Sequence, residues 1–297
     1  VATSIAGIAG DYIDYIERVR GFAAPTVRTY KYLLGRFVKF NPDISLEDVT
    51  LQEIDLWIAD YGENRSVAPS SINTLRCVLR SFFIYVDKYR RIPISFDPSQ
   101  IRQVRAPRGK IQVASVDDVQ KIVRTLKTRQ DKLMALVTFA SGMRIGELVQ
   151  AQADDLRGTE LTVRGKGGKV RCIPLEPSVA KMLQAYLRDN DITVGTIFRR
   201  QNCKRPEPYT VSGLRKRWQR QLEPHGLYMK PHSFRHGIAT TLMQNGMDIR
   251  TLQTFLGHSH IATTMLYTQV TDNHLRESYE SYFPQKMMPG IKDEFRY

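Results

Sequence analysis

The chain has 297 residues, 42% apolar and 25% charged, which is enough for about two globular units with hydrophobic cores and excludes a wholly disordered polymer. No apolar run approaches the roughly 20 residues that a bilayer span needs. Three scattered cysteines, Cys77, Cys172 and Cys203, exclude a disulfide scaffold and point to a reducing cytoplasm. The formal charge of +14 is uneven: residues 1–95 carry 12 Lys/Arg against 11 Asp/Glu, so nearly all the excess lies downstream. A polyanionic partner for the C-terminal two-thirds fits this asymmetry, although charge alone also serves solubility or nonspecific adhesion.

In chain order, residues 11–20 (DYIDYIERVR) and Thr26 to Phe40 read as helices, the second with Val27, Tyr30, Leu34, Phe37 and Val38 on one stripe. Thr50 followed by Glu53 is a capping-box pattern that opens a short helix with Ile54, Trp57 and Ile58 on one face. A longer helix is expected from Ser70 or Ser71 to Tyr89. These elements make residues 1–95 an all-helical unit. Residues 96–111 then change character, with Pro98, Pro107 and Gly109 among Arg102, Arg105, Arg108 and Lys110. They read as a basic linker whose side chains suit contact with DNA, with an ordinary surface loop as the alternative.

A second unit, residues 112–283, opens with Ser115 as helix cap and Asp118 at the reciprocal position. Helices are expected over 116–127 and 130–140, interrupted at Gly142 before a turn carrying Arg144 and Glu147. Strands Leu161–Arg164 and Val170–Leu175 flank the turn Gly165-Lys166-Gly167-Gly168-Lys169, a hairpin signature. Helices follow near 177–188, 212–222, 232–245, 248–256, 260–266 and 271–282, and residues 284–297 form a polar tail. The fold class is therefore mainly α with a small antiparallel β-sheet.

The chemistry-bearing residues gather in this unit. His232 and Arg235, three apart, share a helix face just after Pro231, where the positive end of a helix favours an anion. Taken singly, such residues are more often ordinary surface or hydrogen-bonding groups. There is no HExxH, and the histidines lack the neighbouring thiols or carboxylates of common zinc sites, so no metal is expected. The glycine-rich turn lacks the GxxxxGK[ST] spacing and precedes a strand, so no nucleotide cofactor is expected either.

Taken together, the motifs Ser141-Gly142-Met143-Arg144-Ile145-Gly146-Glu147-Leu148, the Gly165–Lys169 hairpin, Pro231-His232-Ser233-Phe234-Arg235-His236, Leu256-Gly257-His258-Ser259 and Thr263-Thr264-Met265-Leu266-Tyr267 resemble, in order, the tyrosine recombinase (phage-type integrase, Xer-like) family. The resemblance covers roughly 112–280, and the N-terminal unit is similar in size and position to the family's core-binding domain. It implies that Arg144 and Arg235 grip the scissile phosphate, with His232, His258 and the hairpin Lys166 beside them and Tyr267 as nucleophile. Lys169 is the rival hairpin lysine and a DNA-binding candidate. Glu147 takes the supporting acidic position, and His236 is expected to pack rather than react. Thr268-Gln269-Val270 departs from the family's common Thr-His-Val, which blurs the subgroup.

The implied reaction forms a 3′-phosphotyrosyl bond and rejoins DNA without ATP or metal, through a Holliday junction, by four protomers on two double-stranded sites. The alternatives are a phosphotyrosyl enzyme that relaxes or resolves DNA, and a DNA-binding module that has lost activity. The resemblance also favours docking of the tail, with Met287, Met288, Ile291 and Phe295, onto a neighbouring protomer. Folding back onto its own domain is the alternative.

Overall fold

The computed structural model describes residues 4–40, 42, 44–63, 67–104, 113–165, 168, 170–200, 207–257, 272–284, 287 and 291. It divides into two compact units, Val1–Gly109 and Lys110–Tyr297. In the first, α1 (Ile5–Asp14) runs into a π-helical turn (Tyr15–Val19) and is followed by α2 (Ala24–Phe40), α3 (Leu51–Glu63) and α4 (Pro69–Ile84), itself extended by a π-helical turn (Tyr85–Tyr89). The capping box at α3 forms as its sequence demands: Thr50 N–H donates to Glu53 Oε2 at 2.7 Å and Glu53 N–H returns to Thr50 Oγ1 at 3.3 Å. An aromatic cluster runs through the largely aliphatic core, with Trp57, Phe83 and Phe82 packed around Phe37 and Tyr12 in edge-to-face pairs.

The expected linker behaves differently over residues 96–104. Phe96 stacks edge-on against Phe83, Ile101 is buried in the helical core, and Asn73 clamps Val104 from both sides, accepting from its N–H at 2.9 Å and donating to its carbonyl at 2.8 Å. This stretch is a strap along α4, with the Arg102 side chain exposed on it. Two apolar anchors outweigh the proline and arginine composition from which a free linker was expected. Arg105, Arg108 and Lys110 lie outside the described residues.

The second unit packs α5 (Val116–Thr125), α6 (Arg129–Ser141), the single turn α7 (Ile145–Leu148), α8 (Pro177–Asp189), α9 (Val211–Leu222), α10 (Pro231–Gln244), α11 (Ile249–Leu256) and α12 (Asp272–Tyr282) around one core. Its antiparallel sheet is β1 (Leu156–Arg157), β2 (Glu160–Arg164) and β3 (Val170–Pro174), in that order, and β4 (Arg199–Arg200) pairs separately with β5 (Glu207–Pro208). Arg164 pairs with Val170, so β2 and β3 are neighbouring antiparallel strands as the sequence predicts, and Lys166, Gly167 and Lys169 between them lie outside the described residues. Strands β1, β4 and β5 have two residues each, too short for an alternating pattern to register. The expected helix 260–266 lies outside the described residues.

α6 is apolar nearly all round and central, with Asp131 fully buried near its start. That carboxylate accepts from Arg217 Nε and Nη2, both at 2.7 Å, from Gln221 Nε2 at 3.0 Å and from Thr128 Oγ1 at 2.7 Å, tying α9 to α6. Removing one partner of a buried pair strands the other. Asp131→Ala is expected to cost about 3 kcal/mol of stability, read as a lower denaturant midpoint.

For two residues of the tail the fold-back alternative holds, while Met288 and Phe295 lie outside the described residues. Met287 and Ile291 are completely buried in the core of their own unit, and Gln120 Nε2 donates to the Met287 carbonyl at 3.2 Å. α12 prepares this seat: Tyr279 stacks on Phe255, lies tilted against Phe283 and donates its hydroxyl to the Ala140 carbonyl at 2.8 Å. Apolar burial within the same chain satisfies these two side chains, leaving no need of a neighbour to cover them. Among the described residues, no helix is long and apolar enough to cross a membrane.

Candidate active site

The site is built on the turn between α6 and α7. Gly142 ends α6 at φ +58°, and a Cβ there would press within 3.1–3.2 Å of Phe255, Ile238 and Leu256, so only glycine meets both demands. Two residues on, Arg144 caps α7. Its backbone N–H donates to Glu147 Oε2 at 2.8 Å, and its Nη1 reaches Glu147 Oε1 at 2.9 Å. Arg171, from β3, meets the same carboxylate with both ends of its fork, Nη1 to Oε1 at 3.1 Å and Nη2 to Oε2 at 2.8 Å. Arg235, one turn into α10, is buried and donates Nη1 to the Gly142 carbonyl at 2.6 Å and Nη2 to the Leu256 carbonyl at 2.5 Å. Three guanidiniums from three elements thus converge on one turn with a single carboxylate between them.

Electrostatics follow from that imbalance. Burial, and then the charges of Arg144 and Arg171, pull the Arg235 guanidinium down to about 10. It stays charged at neutral pH, in a field that an arriving anion would relieve. Burial pushes the Glu147 carboxyl up, but its hydrogen bonds from Arg171 and Arg144 prevail and hold it below the usual carboxylate range. The stabilisation it lends is present above that range and is lost as the pH falls through its lowered value. His232 is exposed on the first turn of α10, and its imidazole is pulled below its ordinary value by partial burial and then by Arg215, His236, Arg235 and Arg144. A cleft of about 370 Å³ opens beside it, lined by Arg215, Tyr228 and Lys230. Arg144, whose side chain is 42% exposed, has N–H groups beyond the one given to Glu147, and Arg235 has those beyond the two given to carbonyls. Such an array suits an oxyanion with several nonbridging oxygens.

Residues 112–274 match the Phage integrase family, and residues 10–88 match the Phage integrase, N-terminal SAM-like domain. The chain belongs to the phage integrase family. Curated relatives include the tyrosine recombinase XerD of Listeria monocytogenes, 30% identical over 303 residues, with 93% of this chain and 98% of the relative covered. The tyrosine recombinase XerA of Pyrococcus horikoshii is 29% identical over 279 residues, with 92% of each covered. Among solved structures, a lambda integrase (75–356) dimer bound to a COC′ core site aligns with TM-score 0.69 at 20% identity, covering 90% of this chain and 99% of that one. XerH bound to a palindromic difH substrate aligns with TM-score 0.66 at 18% identity, covering 96% and 84%. These structures share the fold. The chain is thus an Xer-like tyrosine recombinase, an enzyme of site-specific DNA cleavage and rejoining.

Within this recombinase, Arg144, Glu147, His232 and Arg235 lie in or beside the cluster that the motifs anticipate. His236 is exposed, not packed: as part of α10 it stands one turn beyond His232, on the same outward face. Lys166, Lys169, His258 and Tyr267 lie outside the described residues. Sequence reasoning missed Arg171 and Arg215. Arg171 carried a readable signal, because period two on β3 places it on the face of Ile173, opposite the buried Val163. An arginine on an inward strand face needs a buried carboxylate, and Glu147 was available. Arg215 lies on a basic helix face and carried no comparable mark.

Proposed function

We propose that this recombinase attacks a DNA phosphodiester with the Tyr267 hydroxyl oxygen. A 3′-phosphotyrosyl bond forms, the 5′-oxygen leaves as a hydroxyl, and the reverse attack by a 5′-hydroxyl restores the DNA and the phenol. Each covalent step exchanges one phosphodiester for another, so bond energy is conserved and ATP is not needed. Arg144 and Arg235 bind the nonbridging oxygens and stabilise the charge gathered in the five-coordinate transition state, as metal ions do in two-metal nucleases. His232 accepts the phenol proton, His258 hydrogen-bonds the phosphate, and Lys166 protonates the leaving oxygen. Arg102, Arg105, Arg108, Lys110 and Lys169 contribute backbone contacts to duplex DNA. Four protomers act on two sites through a Holliday junction.

The observation that carries this reading is the convergence of Arg144 and Arg235 on the Gly142 turn, with their surplus positive charge. The test is incubation with a nicked suicide substrate followed by denaturing electrophoresis. A covalent protein–DNA band is expected, and its absence with specific DNA present would reject the reading.

The histidine role has its own signature. A general base works as neutral imidazole, and His232 holds its proton less tightly than an ordinary histidine with a value of 6.5. At subsaturating DNA, where the profile reports the free enzyme, cleavage is expected to rise with pH along a limb centred below 6.5 and then level off. Arg215→Ala removes the foremost neighbouring charge and is expected to move that limb upward. A limb that ignores Arg215 assigns it to another group.

A further inference from the structure

Arg171 sits where both phosphate-gripping arginines can be held at once. Its guanidinium spans the two oxygens of Glu147, the same oxygens that receive the backbone N–H and Nη1 of Arg144. The other end of its side chain lies against Gly257, which ends α11 at φ +65°. A Cβ at Gly257 would stand 2.7 Å from Arg171 Cδ and 3.0 Å from Nε, so the arginine stem fills the place a side chain would take. Leu256, the residue before Gly257, gives its carbonyl to Arg235 Nη2. Arg171 Nε is buried and finds no hydrogen-bond partner among the described residues.

Resting on the proposed roles of Arg144 and Arg235, we infer that Arg171 is a positioning residue for phosphate activation. It braces the Glu147–Arg144 pair from one side and the Gly257 turn, with its Arg235 contact, from the other. The fork is what matters. Lysine supplies the same charge at a single point and cannot bridge both carboxylate oxygens. Freed from that brace, Glu147 swings with Arg144, and the donors no longer arrive pre-aligned on the transition state.

The test uses the full chain on suicide substrates. Arg171→Lys is expected to bind DNA within about twofold of the unaltered enzyme and to cleave about 10–100-fold more slowly in single turnover at saturating DNA, the scale typical of losing a supporting partner. Glu147→Gln is expected to behave alike, and the double variant to be no slower than the slower single, because both act through one interaction. The decisive arm replaces a nonbridging oxygen of the scissile phosphate by methyl. A neutral phosphate needs less cationic stabilisation, so Arg144→Ala is expected to recover most of its rate there, and Arg171→Lys with it. If Arg144→Ala recovers and Arg171→Lys does not, or if the Arg171→Lys defect lies wholly in DNA affinity, the inference falls while the phosphate role of Arg144 stands. If Arg144→Ala gains nothing, that role fails and takes the inference with it. Should Arg171→Lys not fold, Arg171→Gln is carried through the same arms and read by the same outcomes.

Discussion

Tyr267→Phe is expected to yield no covalent adduct on a nicked substrate, with its DNA affinity within about twofold of the unaltered chain. The substitution removes one oxygen and keeps the ring. If that oxygen is the nucleophile, cleavage falls by more than about 10⁴-fold, the order lost when other enzymes lose theirs. The nearest rivals in sequence make the experiment discriminating. Tyr279 is completely buried, its hydroxyl is committed to the Ala140 carbonyl, and burial holds its proton far more tightly than a free phenol. It can neither reach a phosphate nor ionise readily. Tyr279→Phe is therefore expected to lose about 1 kcal/mol of stability, the worth of one hydrogen bond, and to form adduct normally. An adduct at the unaltered rate from Tyr267→Phe would move the nucleophile elsewhere.

The sequence was legible where a local rule and a tertiary demand coincide. Thr50 with Glu53 and Ser115 with Asp118 announce helix starts because one short hydrogen-bond cycle decides each, and both cycles form. The antiparallel pairing of β2 with β3 was equally plain, since a short glycine-rich segment between two strand-like runs favours a hairpin. Arg144, Glu147 and Arg235 were reached through ordered motifs, and Gly142 shows why the motif holds: its positive φ and tight surroundings leave no room for another residue.

What was not legible depended on partners distant in the chain. Residues 96–104 carry linker composition, yet Phe96 and Ile101 find aromatic and aliphatic neighbours on α4, and Asn73 satisfies Val104. For Met287 and Ile291 the sequence left open whether a neighbour or their own domain would cover them, and the core of their own unit does. Arg171 was passed over in the sequence. Its significance lies in a carboxylate 24 positions earlier and a glycine 86 positions later, which no local window contains. Composition records what a segment is made of, whereas burial depends on what the rest of the chain brings to it.

Arg235→Ala separates function from stability in a way the site geometry dictates. Two opposing terms act on the fold. Deleting the guanidinium leaves the Gly142 and Leu256 carbonyls without their donors, a cost of about 1–3 kcal/mol for each buried acceptor that water does not reach. Against this, the same guanidinium is held charged where burial, Arg144 and Arg171 oppose it, its value drawn from 12.5 to about 10. At 1.36 kcal/mol per unit, that is roughly 3 kcal/mol stored against the folded state at neutral pH, and the substitution releases it. The two terms partly cancel, so the stability of Arg235→Ala, read from its denaturant midpoint, is expected to lie between about 1 kcal/mol above and about 3 kcal/mol below that of the unaltered chain. Catalysis has no such compensation. On the proposed role of Arg235, the donors left over from the two carbonyls meet the charge that develops on the phosphate, and losing an oriented oxyanion donor is expected to cost about 10²–10⁴-fold in single-turnover rate. Arg235→Lys keeps the charge but cannot hold both carbonyls and the phosphate together, so it is expected to recover only a minor part of that rate. Rate and midpoint measured on the same preparations decide the matter. A loss of stability large enough to explain the loss of rate would make Arg235 a strut for the turn, whereas a near-native midpoint with a collapsed rate identifies a residue that the fold tolerates for the sake of the phosphate.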